Sequence, residues 1–291
     1  MKNQNPILHT PEGVRDIYGS EFVQKFELQQ LLYRVLAGRG YQGIETPTFE
    51  FFDVFSREVG TVPSRELYKF FDKEGNTLAL RPDMTPSIAR AVSKYFHDET
   101  PIRLCYMGNT FINYDKYQGR LKETTQLGAE LMGDGSVASD VELLSVLVEA
   151  LQAAGLEQFQ VSIGQVQFFK ALLKEAGIGN EAEESLRRLI SDKNRFGAEE
   201  LLADYELSPR LRETFLEMTT LSGTTEVTAR ARALTENPEA LEALSRLEAI
   251  YEGLKEKGFE KYISFDLSML SKYNYYTGIV FRAYSYGYGE P

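Results

Sequence analysis

Apolar and polar positions alternate along the chain in two rhythms, and the clearest alternation lies near the middle. From Thr124 to Met132, Gln126, Gly128 and Glu130 fall on one face of an extended segment, with Leu127, Ala129 and Leu131 on the other. The segment before it, Leu104 to Phe111, is rich in β-branched and aromatic residues, and a polar, glycine-containing loop, Asn113 to Arg120, separates the two. The pattern predicts two antiparallel strands joined by a long loop, and long loops in compact domains are usually functional. One face of the second strand thus carries an amide and a carboxylate, with Gly128 between them leaving room over the sheet. A solvated sheet face explains this alternation as well as a binding surface does.

The same reading runs along the rest of the chain. Phe22, Phe26, Tyr33 and Leu36 recur at helical spacing, with Ser20 as N-cap and Gly38 and Gly40 as the stop. Phe49, Phe51, Phe52 and Phe55 read as core packing. Phe70-Phe71, a turn at Glu74-Gly75-Asn76 and the run Thr77 to Leu80 form a hairpin signal. Thr85 followed by Pro86 predicts a capped helix start, with Ile88, Val92, Tyr95 and Phe96 as its buried stripe. Ser139 to Glu142 has the form of a capping box ahead of a helix that ends near Gly155, and Phe159, Val161 and Ile163 alternate as a strand. From 166 to 256 the chain is helical and charged, with Ser208-Pro209 and Asn237-Pro238 as helix starts. Strand alternation resumes at Ile263 and Phe265. The expected fold is α+β: an antiparallel sheet flanked by helices, built from 1–165 plus 257–291, with an all-helical insertion over 166–256.

Composition narrows the chemistry. There are 43 acidic and 32 basic residues, a formal net charge of −11, and no Lys/Arg-rich tract, which argues against a polyanion-binding surface. Cys105 is the only cysteine and His9 and His97 the only histidines, so an intrachain disulfide is excluded and neither a zinc site nor a Cys–His nucleophile is expected. No stretch has the length of a signal peptide core or a membrane span, giving the expectation of a cytoplasmic protein with no membrane contact.

Four segments, in order, carry a resemblance. They are Gly13 to Asp16, Leu80 to Thr85 (LRPDMT), the central hairpin from Arg103 to Gly133, and Tyr275 to Phe281 (YYTGIVF). Together they resemble the class II aminoacyl-tRNA synthetases, and among these the histidyl-tRNA synthetases. The hairpin is similar to motif 2 of that class, and the last segment to the histidine motif. The resemblance implies that Asp83, Thr85, Arg120, Gln126, Glu130 and Tyr276 stand where the synthetases hold histidine. It also marks departures. The motif 2 arginine that holds the ATP α-phosphate is Ile112 here, the glutamate two residues on is Tyr114, and the arginine of the histidine motif is Ser271. Each missing cation removes a donor aimed at charge developing on phosphorus, worth roughly 3 kcal/mol of barrier, and the neighbouring Lys272 does not reproduce a guanidinium fork.

A pocket that keeps its amino-acid side and loses its nucleotide side resembles the regulatory-subunit family of ATP phosphoribosyltransferase. That resemblance implies a non-catalytic protein with no cofactor, metal or tRNA. Its implied partner is the short-form ATP phosphoribosyltransferase catalytic subunit, which it activates and helps to feedback-regulate in the first step of histidine biosynthesis, as a homodimer within a hetero-octamer and with histidine as a ligand. An active histidyl-tRNA synthetase fragment and a stand-alone histidine-binding module are the alternatives.

Overall fold

The computed structural model describes residues 8–56, 62–97, 100–114, 119–270 and 276–285. The chain packs into two compact units, Met1–Gly135 and Ser136–Pro291.

The first unit runs α1 (Gly19–Gly38), β1 (Gln42–Gly43), β2 (Phe49–Phe51), α2 (Asp53–Ser56), β3 (Lys69–Phe71), β4 (Thr77–Leu80), α3 (Thr85–Tyr95), β5 (Ile102–Phe111) and β6 (Glu123–Met132). The central hairpin is present as expected: β5 and β6 pair antiparallel from Ile102↔Met132 to Phe111↔Glu123, and β1 joins β5 in parallel. Met84, Ile88, Ile102, Leu104 and Tyr106 form the core on this sheet. A second, small sheet has the order β2-β4-β3 and is antiparallel throughout, as the hairpin signal predicts.

Several local expectations are corrected. α1 begins at Gly19, so Ser20 lies inside its first turn rather than capping it. Phe22, Phe26 and Tyr33 are exposed and only Leu36 of that series is buried, so the helix turns its aromatic side away from the core. The small sheet explains the phenylalanine cluster. Register pairs Phe49 with Leu80 and Phe51 with Leu78, the face opposite Ala79, and it is Ala79 that packs with Phe55 and Leu67. Side chains alternate across a strand, so Phe49 and Phe51 are left exposed while Phe55 is buried. Tyr95 also lies on the open side of its helix.

The second unit contains α4 (Val137–Ala153), β7 (Phe159–Gln165), α5 (Val166–Ala176), α6 (Asn180–Ser191), α7 (Arg195–Ala203), α8 (Pro209–Met218), β8 (Ser222–Gly223), α9 (Glu226–Leu234), α10 (Pro238–Glu256), β9 (Ile263–Asp266) and β10 (Ile279–Ser285). Its sheet has the order β10-β7-β9-β8. β10 runs antiparallel to β7, whereas β7 and β9 are parallel, a pairing that requires a long crossover and receives one in the helices between them. The two Pro-marked starts hold: the Ser208 side chain accepts from Leu211 N, and that of Asn237 from Glu239 N and Ala240 N. α4 is capped one turn earlier than expected, by Ser136, whose side chain accepts from Ser139 N.

Helices 166–256 do not enclose a core of their own. α10 packs against both α4 and α5, and one continuous core joins Leu144 and Val148 of α4 and Val161 and Ile163 of β7 to Leu244, Leu247 and Ile250 of α10. By packing, the helical segment and its neighbouring strands belong to one compact unit, Ser136–Pro291.

Candidate functional site

The register of β5 and β6 sets three cross-strand pairs on one face: Gly108 with Gln126, Tyr106 with Gly128, and Leu104 with Glu130. Above this face the chain leaves β4 through Arg81, Pro82 and Asp83 and enters α3. Arg81 fixes that crossing. It is buried, and its guanidinium donates to three backbone carbonyls: Nε to Asn109 O at 2.7 Å, and Nη1 to Thr46 O at 2.7 Å and Pro47 O at 3.3 Å. Burial pulls its pKa below the usual arginine value, opposed by the charge of Glu45. The guanidinium lies against Gly108, where a Cβ would come within 3.1 Å of Arg81 Cζ and closer still to Nη2. Glycine is required there by close approach.

Arg81 thus positions Asp83, and four of the six predicted ligand residues meet. Asp83 Oδ1 accepts from Met84 N at 2.7 Å and from Gln126 Nε2 at 3.2 Å, with a longer contact from Thr85 N at 3.5 Å. Gln126 Oε1 accepts from Met84 N at 3.3 Å. Thr85 Oγ1 donates to Glu130 Oε1 at 2.7 Å. The helix start is therefore served by Asp83, and the Thr85 hydroxyl expected to cap it is committed to Glu130 instead. Burial raises the Glu130 carboxyl above the ordinary carboxylate range; the Thr85 hydrogen bond opposes this and the Asp83 charge reinforces it. Two carboxylates, an amide and a hydroxyl in a half-buried setting suit a ligand that is cationic and rich in N–H donors.

The remaining two candidates are not joined to this cluster by any described contact. Arg120 is exposed and lies over the Tyr114 ring, with Cζ 5.7 Å from its centroid. Tyr276 belongs to the second unit, where its carbonyl accepts from Lys170 Nζ at 2.7 Å. Ile112 is half-buried with its N–H donating to Lys122 O at 2.9 Å, and its side chain offers no charge. Ser271 lies outside the described residues.

Two residues of the site were not picked out from the sequence. Arg81 and Tyr106 each pack against a glycine of the hairpin; a glycine within a strand marks close approach but does not name the neighbour that makes it. The room expected above Gly128 is filled by Tyr106, since a Cβ at Gly128 would sit 2.5 Å from Tyr106 Cζ and nearer to its hydroxyl.

The other face of the hairpin carries a polar chain. Lys25 Nζ donates to Thr125 Oγ1 at 2.6 Å, Thr125 Oγ1 to Asn109 Oδ1 at 2.9 Å, and Asn109 Nδ2 to Glu123 Oε1 at 2.7 Å. This chain lines a groove of about 680 Å³ that also takes in Phe22 and Phe26 of α1. Among the described residues no group of three or more His, Cys, Asp and Glu could hold a metal, and no helix is long and apolar enough to cross a membrane.

Comparison with known proteins agrees with this architecture. The family model for histidyl-tRNA synthetase matches residues 13–291. A histidine–tRNA ligase subunit from Alicyclobacillus acidocaldarius superposes with a TM-score of 0.79 at 26% identity, covering 97% of this chain and 87% of that one. The fold is that of the class II, histidyl-tRNA synthetase-like proteins. Within that class the similarity is more specific. The ATP phosphoribosyltransferase regulatory subunit of Acetivibrio thermocellus is 40% identical over 285 residues, 98% of this chain and 68% of the relative. That of Thermoanaerobacter sp. (strain X514) is 40% identical over 283 residues, 97% of this chain and 74% of the relative. A crystal structure described as an ATP phosphoribosyltransferase regulatory subunit/histidyl-tRNA synthetase from Bacillus halodurans C gives a TM-score of 0.90 at 34% identity, covering 98% of this chain and 74% of that one. The chain belongs to the ATP phosphoribosyltransferase regulatory subunit family.

Proposed function

We propose that this protein is a non-catalytic regulatory partner of a short-form ATP phosphoribosyltransferase, activating it and taking part in its feedback control in the first step of histidine biosynthesis. The observation that carries the reading is the asymmetry of the hairpin. The side that would hold an amino acid keeps Asp83, Thr85, Gln126 and Glu130 in one hydrogen-bonded cluster. The position that would face a nucleotide carries Ile112 in place of a cation, and Ser271 replaces the second arginine. A site of this composition binds free histidine without ATP: Asp83 takes the ammonium and Glu130 accepts from the imidazole N–H. Arg120 and Tyr276 stay candidates for the carboxylate and the ring on the resemblance alone. The whole of 1–165 plus 257–291 is read as the synthetase-like part, with 166–256 inserted into it. We further propose a location in the cytoplasm and no role for tRNA, a cofactor or a metal.

The protein is proposed to act as a homodimer within a hetero-octamer. Support comes from α1, where Phe22 and Phe26 are 55% and 51% exposed and stack with ring centroids 6.3 Å apart beside the hairpin groove. Exposed aromatic surface of this kind marks association sites, and two-fold dimers are the commonest oligomer. Size-exclusion chromatography with light scattering tests both levels of assembly. The chain alone elutes with the mass of a dimer, and mixed with a short catalytic subunit it elutes in one larger complex. A monomer at micromolar concentration overturns the dimer; separate elution of the two proteins overturns the partnership.

A further inference from the structure

The second unit holds a cleft of about 610 Å³ between α6 and the end of its sheet. α6 buries Leu186 and Ile190 in the core and turns a polar stripe, Glu181, Glu184 and Arg188, toward the cleft. Arg282 of β10 and Leu270 line it from the sheet side. Register sets Arg282 opposite Ser162, on the face away from the core residues Val161 and Ile163. The charges on α6 are segregated. The two glutamates stand in its first turns and Arg187 and Arg188 follow, so the carboxylate and guanidinium ends lie about 10 Å apart along the helix. Arg187 is buried and donates to Glu183 one turn back, which orients it. Its positive field reaches Lys170, whose ammonium is pulled below the usual lysine range by burial and by Arg187, against the opposing charge of Glu183.

The two walls of the cleft are tied together where α6 ends. Lys193 has a φ of 56° and is the one non-glycine residue with positive φ among the described residues. That position after a helix favours glycine, which has no side chain to lend. Here the lysine ammonium lies 3.3 Å from Asp266 Oδ2 on β9, and Asp266 Oδ1 accepts from Ser268 N at 2.9 Å. The ion pair joins the helix wall to the sheet wall, so the cleft is formed before any ligand enters.

We propose that this cleft binds a nucleoside phosphate, with the phosphate on Arg187, Arg188 and Arg282 and the hydroxyl and amine donors of the nucleoside on Glu181 and Glu184. Guanidinium forks match phosphate oxygens, and ionised carboxylates only accept, so they select O–H and N–H donors. The lining sets three guanidiniums against three carboxylates, those of Glu181, Glu184 and Asp192. A bare anion therefore gains little from the net field, and the ligand must carry an anion and donors in one molecule. An α-amino acid does so, but its two charges are too close together to span the separation along α6. Leu270 offers an apolar contact for a base, and the volume is in the range of small-molecule sites. The proposal is independent of the cluster on the central hairpin.

Calorimetric titration of the purified full chain with ADP, adenosine and inorganic phosphate tests it. ADP is expected to bind about tenfold or more tightly than either fragment, since only ADP engages both ends of the cleft. Arg188→Glu and Arg282→Glu are each expected to weaken ADP by about tenfold or more. Both residues are exposed, so the melting temperature of each variant stays at the wild-type value. Glu184→Ala is expected to lose affinity for ADP and to leave that for phosphate unchanged. No binding of ADP at millimolar concentration overturns the proposal. ADP binding that is undiminished in both arginine variants also overturns it, because the nucleotide then sits elsewhere on the chain. Phosphate that binds as tightly as ADP reduces the cleft to a surface for anions and overturns the assignment of a nucleoside.

Discussion

Glu130→Ala is expected to lower the affinity of the protein for histidine by about 10- to 150-fold, equivalent to roughly 1.5–3 kcal/mol, the worth of a hydrogen bond to a charged group. The carboxylate is held in place by its neighbours. Thr85 donates to one of its oxygens at 2.7 Å, and the strand aims it from the same face as Gln126. Isothermal calorimetry reads the loss directly, and Ile112→Ala, on the nucleotide side, is expected to change binding little. The free protein carries a cost for this arrangement. Burial raises the Glu130 pKa in the folded state above its unfolded value, so the folded chain binds this proton more tightly. Ionised Glu130 therefore destabilises the fold at and above neutral pH, and the penalty disappears as pH falls through the raised pKa toward the unfolded one. Glu130→Gln keeps an acceptor for Thr85 and removes the charge. Its Tm should exceed that of wild type most at pH 8, with the gap narrowing on acidification. A gap that widens toward acid contradicts the burial argument, and a Glu130→Ala variant that binds histidine like wild type removes Glu130 from the site.

The second large effect is on stability. Arg81→Ala is expected to destabilise the protein by about 3–5 kcal/mol, because truncation orphans buried carbonyls, each costing roughly 1–3 kcal/mol, and leaves a cavity over Gly108. The acceptors are Asn109 O and Thr46 O, both at 2.7 Å from the guanidinium, and Thr46 is itself buried. Arg81→Lys recovers little, since one ammonium on a flexible stem cannot reach carbonyls on two separate segments at once. Gly108→Ala places a methyl group against the guanidinium and should lose stability by the same route. Urea unfolding monitored by circular dichroism gives the value. A loss below about 1 kcal/mol would show that water replaces the guanidinium at these carbonyls.

Much of this was legible before the fold was known, and the part that was not has a physical cause. The alternation at Gln126, Gly128 and Glu130 located the face, because a period of two leaves no freedom in which side a strand residue takes. Asn237-Pro238 and Ser208-Pro209 gave true helix starts, since both the side-chain acceptor and the fixed proline φ act locally. Ser20, Thr85 and Ser139 misled for a common reason. A capping residue is recognised from its neighbours in sequence, but Thr85 had a stronger partner 45 residues away in Glu130, and Ser136 offered the α4 cap a turn earlier. Phe49 and Phe51 misled because hydrophobicity does not reveal which sheet face is covered, and here the covered face belongs to Ala79. Tyr106 and Arg81 became visible only through register: nothing in the sequence alone states that Tyr106 faces Gly128 or that Arg81 lies over Gly108.

The proposed regulatory role requires that the amino-acid half of a synthetase-like site be kept and the nucleotide half lost. ATP–pyrophosphate exchange driven by histidine measures that division most directly, because exchange requires both halves and the adenylate chemistry between them. If Ile112 and Ser271 stand where the synthetases carry two arginines, each worth roughly 3 kcal/mol of barrier, the purified protein should show no exchange above background under conditions where histidine binding is saturated. Robust histidine-dependent exchange would contradict the account and return the chain to the synthetases.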